Sequence, residues 1–445
     1  MSILAIVIYI SCILFFIFYI FEKYNRRKYI FSIFNISTFV YFFMILISPI
    51  FFFYDVSWYA LGIYNAQYMK DYLNQSLIIN GIGFDIYLLV LYLFEFRVRT
   101  SKRIIRQEYK CARYINKSSI DILFIISCTA WYLIVLVYCH GFPLFNGNRS
   151  FFLDTPISPI YSLLNEIIFC ITLYYGFLFS NKHKSGLKLI FGIVTQLLTG
   201  NRGNVLISVI LVVIIMVLYR RKNINVEIKL LLKKKKKYIR RIIVFVPIIL
   251  LFGIGLGVLR GGGDALSLSF INEILYGNNF SDIRDGAYIL KGFEDSLNCK
   301  HILGKTYLAS FLSFIPSSIF KFRYEWSWGR FTTLGLFGMT NHFGLRGGNS
   351  LEGYINFGIL GVLLCNFIQA YLLAILEKRF YSVFVSEQSD VEGQSFFIWR
   401  IFSCIIGIFV CSSSGYNLYV DLIMLVILAI ISAIIAPYKS RNCRV

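Results

Sequence analysis

Residues 2–21 read SILAIVIYISCILFFIFYIF, twenty consecutive positions without a charge. As a helix such a run rises about 30 Å, the thickness of a bilayer's hydrocarbon core. Four basic residues follow it at once, Lys23, Arg26, Arg27 and Lys28. An apolar run that ends on a basic cluster reads as a membrane span with its end anchored at the interface. No basic stretch precedes the run, so a cleaved signal peptide is not expected.

The rest of the chain repeats this pattern. The 445 residues are 58% hydrophobic and only 15% charged, with mean hydropathy +0.69. A water-soluble fold carries about 25% charge, so soluble enzymes, disordered tails and secreted disulfide scaffolds are excluded. Ten cysteines lie mostly inside apolar runs and form no CxxC pair, which leaves no zinc or disulfide framework to expect. Eleven membrane segments are expected: Ser2–Phe21, Ile30–Phe53, Ser76–Phe96, Ile120–Cys139, Ile160–Phe179, Leu187–Thr199, Val205–Tyr219, Ile242–Leu259, Tyr354–Leu376, Phe396–Cys411 and Leu418–Ala436. The expected fold is therefore an all-α polytopic membrane protein of about 11 transmembrane helices.

Lysine and arginine set the direction. Alternate loops hold 31 of the 44 basic residues and only 7 acids, whereas the opposite loops hold 12 basic and 11 acidic residues. The positive-inside rule makes the first set cytoplasmic. The N-terminus then lies outside and the C-terminus inside. This also accounts for the net charge of +21 without nucleic acid. The run Lys233–Lys237 becomes an anchor near anionic membrane lipids.

The chain divides into residues 1–259, eight segments with short loops; 260–352, one large external loop; and 353–445, the last three segments. Loops of such length are usually functional. Inside this one, Ser281-Asp-Ile-Arg-Asp285 reads as a helix start, with acids in the first turn. Leu303–Phe320 is apolar and broken by Pro316. It reads as a helix lying in the outer interface, with a twelfth span as the alternative.

The sixth and seventh segments are short, about 20 and 22 Å as helices, against a core of about 30 Å. Between them lies Gly200-Asn-Arg-Gly-Asn204. Either both helices extend through their cytoplasmic flanks, or the turn sits below the outer surface. In the second case Arg202 is a cation at membrane depth, a functional candidate by default. The plainer alternative is a glycine turn with a snorkelling arginine. Arg260 runs into Gly261-Gly-Gly-Asp264, and Arg284 adds a third guanidinium to a candidate anion cluster. Arginine suits phosphate because its planar fork bonds two oxygens at once.

Four histidines occur, at 140, 183, 301 and 342, and none is spaced with Cys, Asp or Glu as metal ligands are. His342, Arg346 and Glu352 fall within eleven residues just before the ninth segment. A histidine there is either an interfacial hydrogen-bonding group or a general base. Asp85 and Glu166 are acids inside spans and are candidates for ion pairing or a proton path. Arg400 reads as a snorkelling residue.

Four pieces together resemble one family. They are Gly141-Phe-Pro-Leu-Phe-Asn-Gly-Asn-Arg149, Leu198-Thr-Gly-Asn-Arg-Gly-Asn204, Arg260 with the long external loop, and Asn341-His342 followed by Ser350-Leu-Glu-Gly-Tyr-Ile-Asn-Phe-Gly358. In order and layout the chain resembles the O-antigen polymerases (Wzy-type), in the superfamily that also holds the O-antigen ligases. The resemblance implies a GT-C-like fold in the bacterial cytoplasmic (inner) membrane. It implies an inverting, metal-independent glycosyltransferase with no cofactor. A glycan on undecaprenyl diphosphate passes to a hydroxyl of another lipid-linked repeat unit on the outer face. A chain-length regulator is an expected partner, and nucleic acid is not.

On that reading His342 takes the acceptor proton, with Glu352 or Asp264 behind it. Arg202, Arg260, Arg284 and Arg346 meet the diphosphate as its charge develops. Trp326, Trp328 and Tyr324 either stack on sugars or, the commoner role, anchor the loop at the interface. The rival readings are an O-antigen ligase and a lipid-linked oligosaccharide flippase. Asp85 and Glu166 favour the flippase, while the odd span count and the absence of evident repeats speak against it.

Overall fold

A computed structural model describes residues 1–27, 36–53, 66–97, 117–139, 141–143, 185–199, 282–312, 320–339 and 344–385, with Ile315 and short pieces between 157 and 176. The expected segments Val205–Tyr219, Ile242–Leu259, Phe396–Cys411 and Leu418–Ala436 lie outside the described residues, as do Glu166 and Arg400. Among the described residues every regular element is helical.

In chain order the helices are α1 (Ile3–Arg27), α2 (Ile36–Leu46), α3 (Ile50–Phe53), α4 (Ala66–Tyr92), α5 (Lys117–Cys139), α6 (Gly186–Leu198), α7 (Asp282–Leu297), α8 (Lys305–Phe311), α9 (Lys321–Trp326) and α10 (Gly348–Val385). Among the described residues, four stretches are long and apolar enough to cross a membrane: Ile3–Arg26, Met69–Arg97, Ile120–Tyr138 and Gly348–Ile375. The chain forms two compact units. One comprises Met1–Val98, Ile254–Lys378 and Gly407–Tyr419, and the other Arg99–Gly253, Arg379–Ile406 and Val420–Val445.

The first unit is built on α4. Ser2 opens α1 by accepting a hydrogen bond from Ala5 N–H (3.2 Å), and Arg26 and Arg27 close it where the helix dipole favours cations. Along α1 and α4 the contacts advance together. Ser2 N bonds Asn74 Oδ1 at 2.7 Å, Ser11 Oγ bonds Asp85 Oδ2 at 2.6 Å, and Tyr19 OH bonds Glu95 Oε2 at 2.8 Å. The two helices therefore run in the same direction. Helix α2 opposes both: Phe16 stacks on Phe42 with ring centres 3.8 Å apart, Tyr9 OH reaches Leu46 O, and Thr38 pairs with Tyr87 at 2.9 Å. Three consecutive crossings require this alternation of direction.

Several elements depart from the sequence reading. Ile30–Phe53 is not one continuous helix. α2 stops at Leu46, and residues 47–49 form a turn before α3. Pro49 lacks an amide hydrogen and its ring clashes one turn back, so it is tolerated only at the start of a new helix. α4 begins at Ala66, ten residues before the expected Ser76, and ends in a wide turn over Leu93–Arg97. Within Leu303–Phe320, read as an interfacial helix, α8 runs Lys305–Phe311 and ends at Leu312.

The ninth segment is broken. Phe357 (φ −139°, ψ 16°) and Gly358 (φ 65°, ψ −149°) interrupt α10, and the Gly358 conformation is open only to glycine. The first arm, 348–356, folds back along the second. Asn366 Nδ2 donates to Ser350 Oγ at 2.8 Å, although an unbroken helix would separate residues sixteen apart by about 24 Å. The arms meet at Gly353 and Gly361, where a Cβ on Gly361 would run into the Gly353 backbone. The open carbonyls at the end of the first arm are capped from outside: Ile302 N bonds Ile355 O (3.2 Å) and Leu303 N bonds Asn356 O (3.1 Å).

In the second unit, Asp121 near the start of α5 accepts from Tyr175 OH (2.7 Å) and pairs with Lys188 of α6 (2.7 Å). Farther along, Tyr132 pairs with Thr195 at 3.2 Å, so α5 and α6 run in the same direction. α6 starts at Gly186, after a non-helical Ser185, and ends before Thr199. The described part of the sixth segment is therefore a helix of 13 residues, bounded by Ser185.

Candidate functional site

Arg202, Arg260, Asp264 and His342 lie outside the described residues. Arg284, Arg346 and Glu352 are described, and all three belong to the first unit.

α7 begins at Asp282, as the acidic first turn predicts, and nearly its whole first three turns are buried against α4. Gly286 makes this approach possible, since a Cβ there would strike the Ser76 side chain. Farther along, Tyr72 OH donates to Glu294 and Lys291 lies over the Tyr72 ring. The packing carries three charges inward: Asp282, Arg284 and Asp285 are 7%, 2% and 5% exposed.

Buried charges persist when paired, and Arg284 and Asp285 pair with each other. Arg284 donates from Nε (3.1 Å) and Nη2 (3.0 Å) to Asp285 Oδ1, and its guanidinium lies 6.0 Å from the Phe51 ring centre. The second oxygen of Asp285 accepts the backbone N–H of Arg346 at 3.2 Å. One residue earlier, Leu345 N–H bonds Thr332 Oγ1 at 3.0 Å. The segment leading into α10 is thus held at two successive amides, while the Arg346 side chain is exposed. Burial pushes the Asp282 carboxyl up to about 6; the Arg346 guanidinium opposes that rise and Asp285 adds to it.

Beside this cluster the first arm of α10 meets α2 and α4. Tyr41 OH lies 2.6 Å from Ser350 Oγ and donates to Asn80 O at 3.0 Å. Glu352, one turn into the arm, is fully buried, with the Thr306 hydroxyl as its polar neighbour. Asn356 donates from Nδ2 to the same Thr306 Oγ1 at 2.7 Å. A buried carboxylate is costly when charged, and such sites often mark function.

The structure therefore gathers Arg284 and Arg346 with Asp282 and Asp285. Asp285, Tyr41, Asn80 and Ser350 were not singled out from sequence. The one available signal was two acids flanking an arginine at the start of a helix that is otherwise buried. The aromatic residues of the loop are largely engaged. Lys305 Nζ sits 4.2 Å from the Trp326 ring centre, Phe331 stacks on the same ring, and Arg330 lies over Tyr324 at 4.5 Å. Trp328 is buried. His301 is a packing residue, its ring stacked on Phe293 and its Nδ1 3.3 Å from Ile355 O. Asp85, read as a pairing or proton-path acid, accepts from Ser11.

Long apolar helices, with a charged and partly exposed cluster on α7 and the segment leading into α10, define a helical membrane protein. The chain belongs to the O-antigen polysaccharide polymerase Wzy family, whose model matches residues 1–387. No curated protein and no solved structure matches it.

Proposed function

We propose that the protein is a surface-polysaccharide polymerase of the bacterial cytoplasmic membrane. It transfers a glycan from undecaprenyl diphosphate to a hydroxyl of a second lipid-linked repeat unit. The observation that carries this reading is the family match over residues 1–387. About eleven spans in a GT-C-like arrangement, with the N-terminus outside, follow from the apolar runs, the loop charges and the resemblance. A chain-length regulator is the expected partner.

The diphosphate is the leaving group and gains charge as the glycosidic bond breaks. Fixed cations stabilise that charge most where water is scarce. Arg202, Arg260, Arg284 and Arg346 supply them, and arginine does what a metal does in other transferases. Arg346 is the exposed member of the described pair, and Arg284 acts from behind it. His342 takes the acceptor hydroxyl's proton, supported by Glu352 or Asp264. The nearness of His342 to Arg346 in sequence, and the burial of Glu352, favour this assignment.

The test is the length ladder of surface glycan in cells lacking the gene, restored with wild type, Arg202→Ala or Arg346→Ala. A polymerase predicts that the null strain keeps single repeats on its lipid anchor and loses the ladder, and that neither variant restores it. Loss of the single repeat as well would point to a flippase or a ligase. Polymer persisting on undecaprenyl diphosphate would single out the ligase.

A further inference from the structure

We infer that Asp285 is a positioning residue: it aims Arg346 at the lipid-linked diphosphate, with Arg284 as the counter-ion that fixes it. This rests on the polymerase reading. Each oxygen of Asp285 has a separate task. Oδ1 takes both donors of the Arg284 fork, at 3.1 and 3.0 Å, and Oδ2 takes the Arg346 amide at 3.2 Å. Both Arg284 donors converge on one oxygen and the Arg346 amide reaches the other, so the carboxylate is held at both ends. Its other oxygen is then a fixed acceptor, and it sets where the backbone of residue 346 lies.

The neighbouring amide is fixed independently. Leu345 N–H bonds Thr332 Oγ1, and Gly344 (φ 127°) packs its backbone on Gly329. The main chain is thus fastened at successive positions leading up to the point where the exposed guanidinium departs. α10 begins two residues later, at Gly348, so the Arg346 side chain leaves the backbone beside a helix N-terminus, where anions are favoured. Arg284, at 2% exposure with its fork on Asp285, acts on the diphosphate through this chain and not by direct contact.

The test is a double-mutant cycle on the purified protein in proteoliposomes. Its substrate is the undecaprenyl-diphosphate-linked repeat unit isolated from the producing strain. Polymer formation is measured for wild type, Asp285→Asn, Arg346→Ala and the double variant, with melting temperatures alongside. Misplacing a reacting or stabilising group by about 1 Å costs about 10²-fold. Asp285→Asn should lose activity on that scale, and the double variant should lose no more than Arg346→Ala alone. Full activity in Asp285→Asn, or losses that multiply in the double variant, would overturn the role. If Asp285→Asn does not fold, Thr332→Val takes its place in the same cycle and is expected to show the same non-additivity; multiplying losses there would count against the proposal equally. A wild type that makes no polymer sinks the polymerase reading itself. A wild type that polymerises beside a fully active Asp285→Asn sinks only the positioning role.

Discussion

Lys23 Nζ lies 2.9 Å from Glu377 Oε1, and both side chains are almost wholly excluded from solvent. Glu95 completes the group, 3.7 Å from the same nitrogen, and Tyr19 OH donates to the other Glu95 oxygen. Three helices far apart in sequence, α1, α4 and α10, are joined through one buried cation. Tyr19 and Lys23 are one helical turn apart, which puts both on the face of α1 that meets α4.

Breaking this group should be costly. Glu377→Ala removes the nearest carboxylate from Lys23 and is expected to destabilise by about 3–5 kcal/mol, the usual penalty for breaking a buried ion pair. A melting temperature in detergent checks it. An unchanged value would mean that water reaches Lys23. The exchange Lys23→Glu with Glu377→Lys should recover part of the loss, because the pair is restored with its sign reversed.

The fold-back of α10 depends on two glycines in backbone contact. Gly361→Ala places a methyl against the Gly353 carbonyl. Main chain cannot move aside as a side chain can, so a loss at or above the about 1–3 kcal/mol of ordinary overpacking is expected. The yield of folded, monodisperse protein after detergent extraction would show it. A well-behaved variant would argue against the close approach of the two arms.

Asp282 gives a pH signature. Its carboxyl is raised from 3.8 to about 6, chiefly by burial. The folded state therefore holds this proton more tightly than the unfolded chain does. Stability from this group is greatest in acid, falls as pH rises from about 4 to 6, and stays low above that. The shift corresponds to about 3 kcal/mol. Asp282→Asn should melt higher than wild type at pH 8, and the difference should vanish near pH 4. A difference independent of pH would rule out a raised carboxyl as the cause.

His342→Ala should slow polymerisation by about 10²–10⁴-fold, the range for a lost general base. Glu352→Gln should cost less than that and leave the melting temperature unchanged or higher, since it removes a fully buried carboxylate. Single-turnover rates in proteoliposomes separate the two. An active His342→Ala would move the search for the base to Asp282 or Asp264.

The helical class and several segment limits were legible because they are local. Ile120–Cys139 and Leu187–Thr199 were read within a few residues of α5 and α6, since hydropathy marks where a helix enters apolar surroundings. The acidic start of α7 was equally plain. The break at Pro49 was missed because an apolar count cannot weigh one absent amide hydrogen. The break at Phe357–Gly358 was missed because a glycine inside an apolar run is also common in ordinary spans.

The site divides along the same line. Arg284, Arg346 and Glu352 were marked by residue type and position, but their partners were not. Asp285 stood as one acid of a helix's first turn until the fold brought the Arg346 amide to its second oxygen; Ser350 stood only as the start of a motif, and Tyr41 had no signal at all. Hydropathy, loop charge and motif order are properties of the chain, and by themselves they determined an all-helical membrane protein and its family resemblance. Which buried charge faces which partner depends on long-range packing of α4, α7 and α10. Only the tertiary structure decided it, because an ion pair in an apolar interior persists only where separate helices deliver both members to within hydrogen-bonding distance.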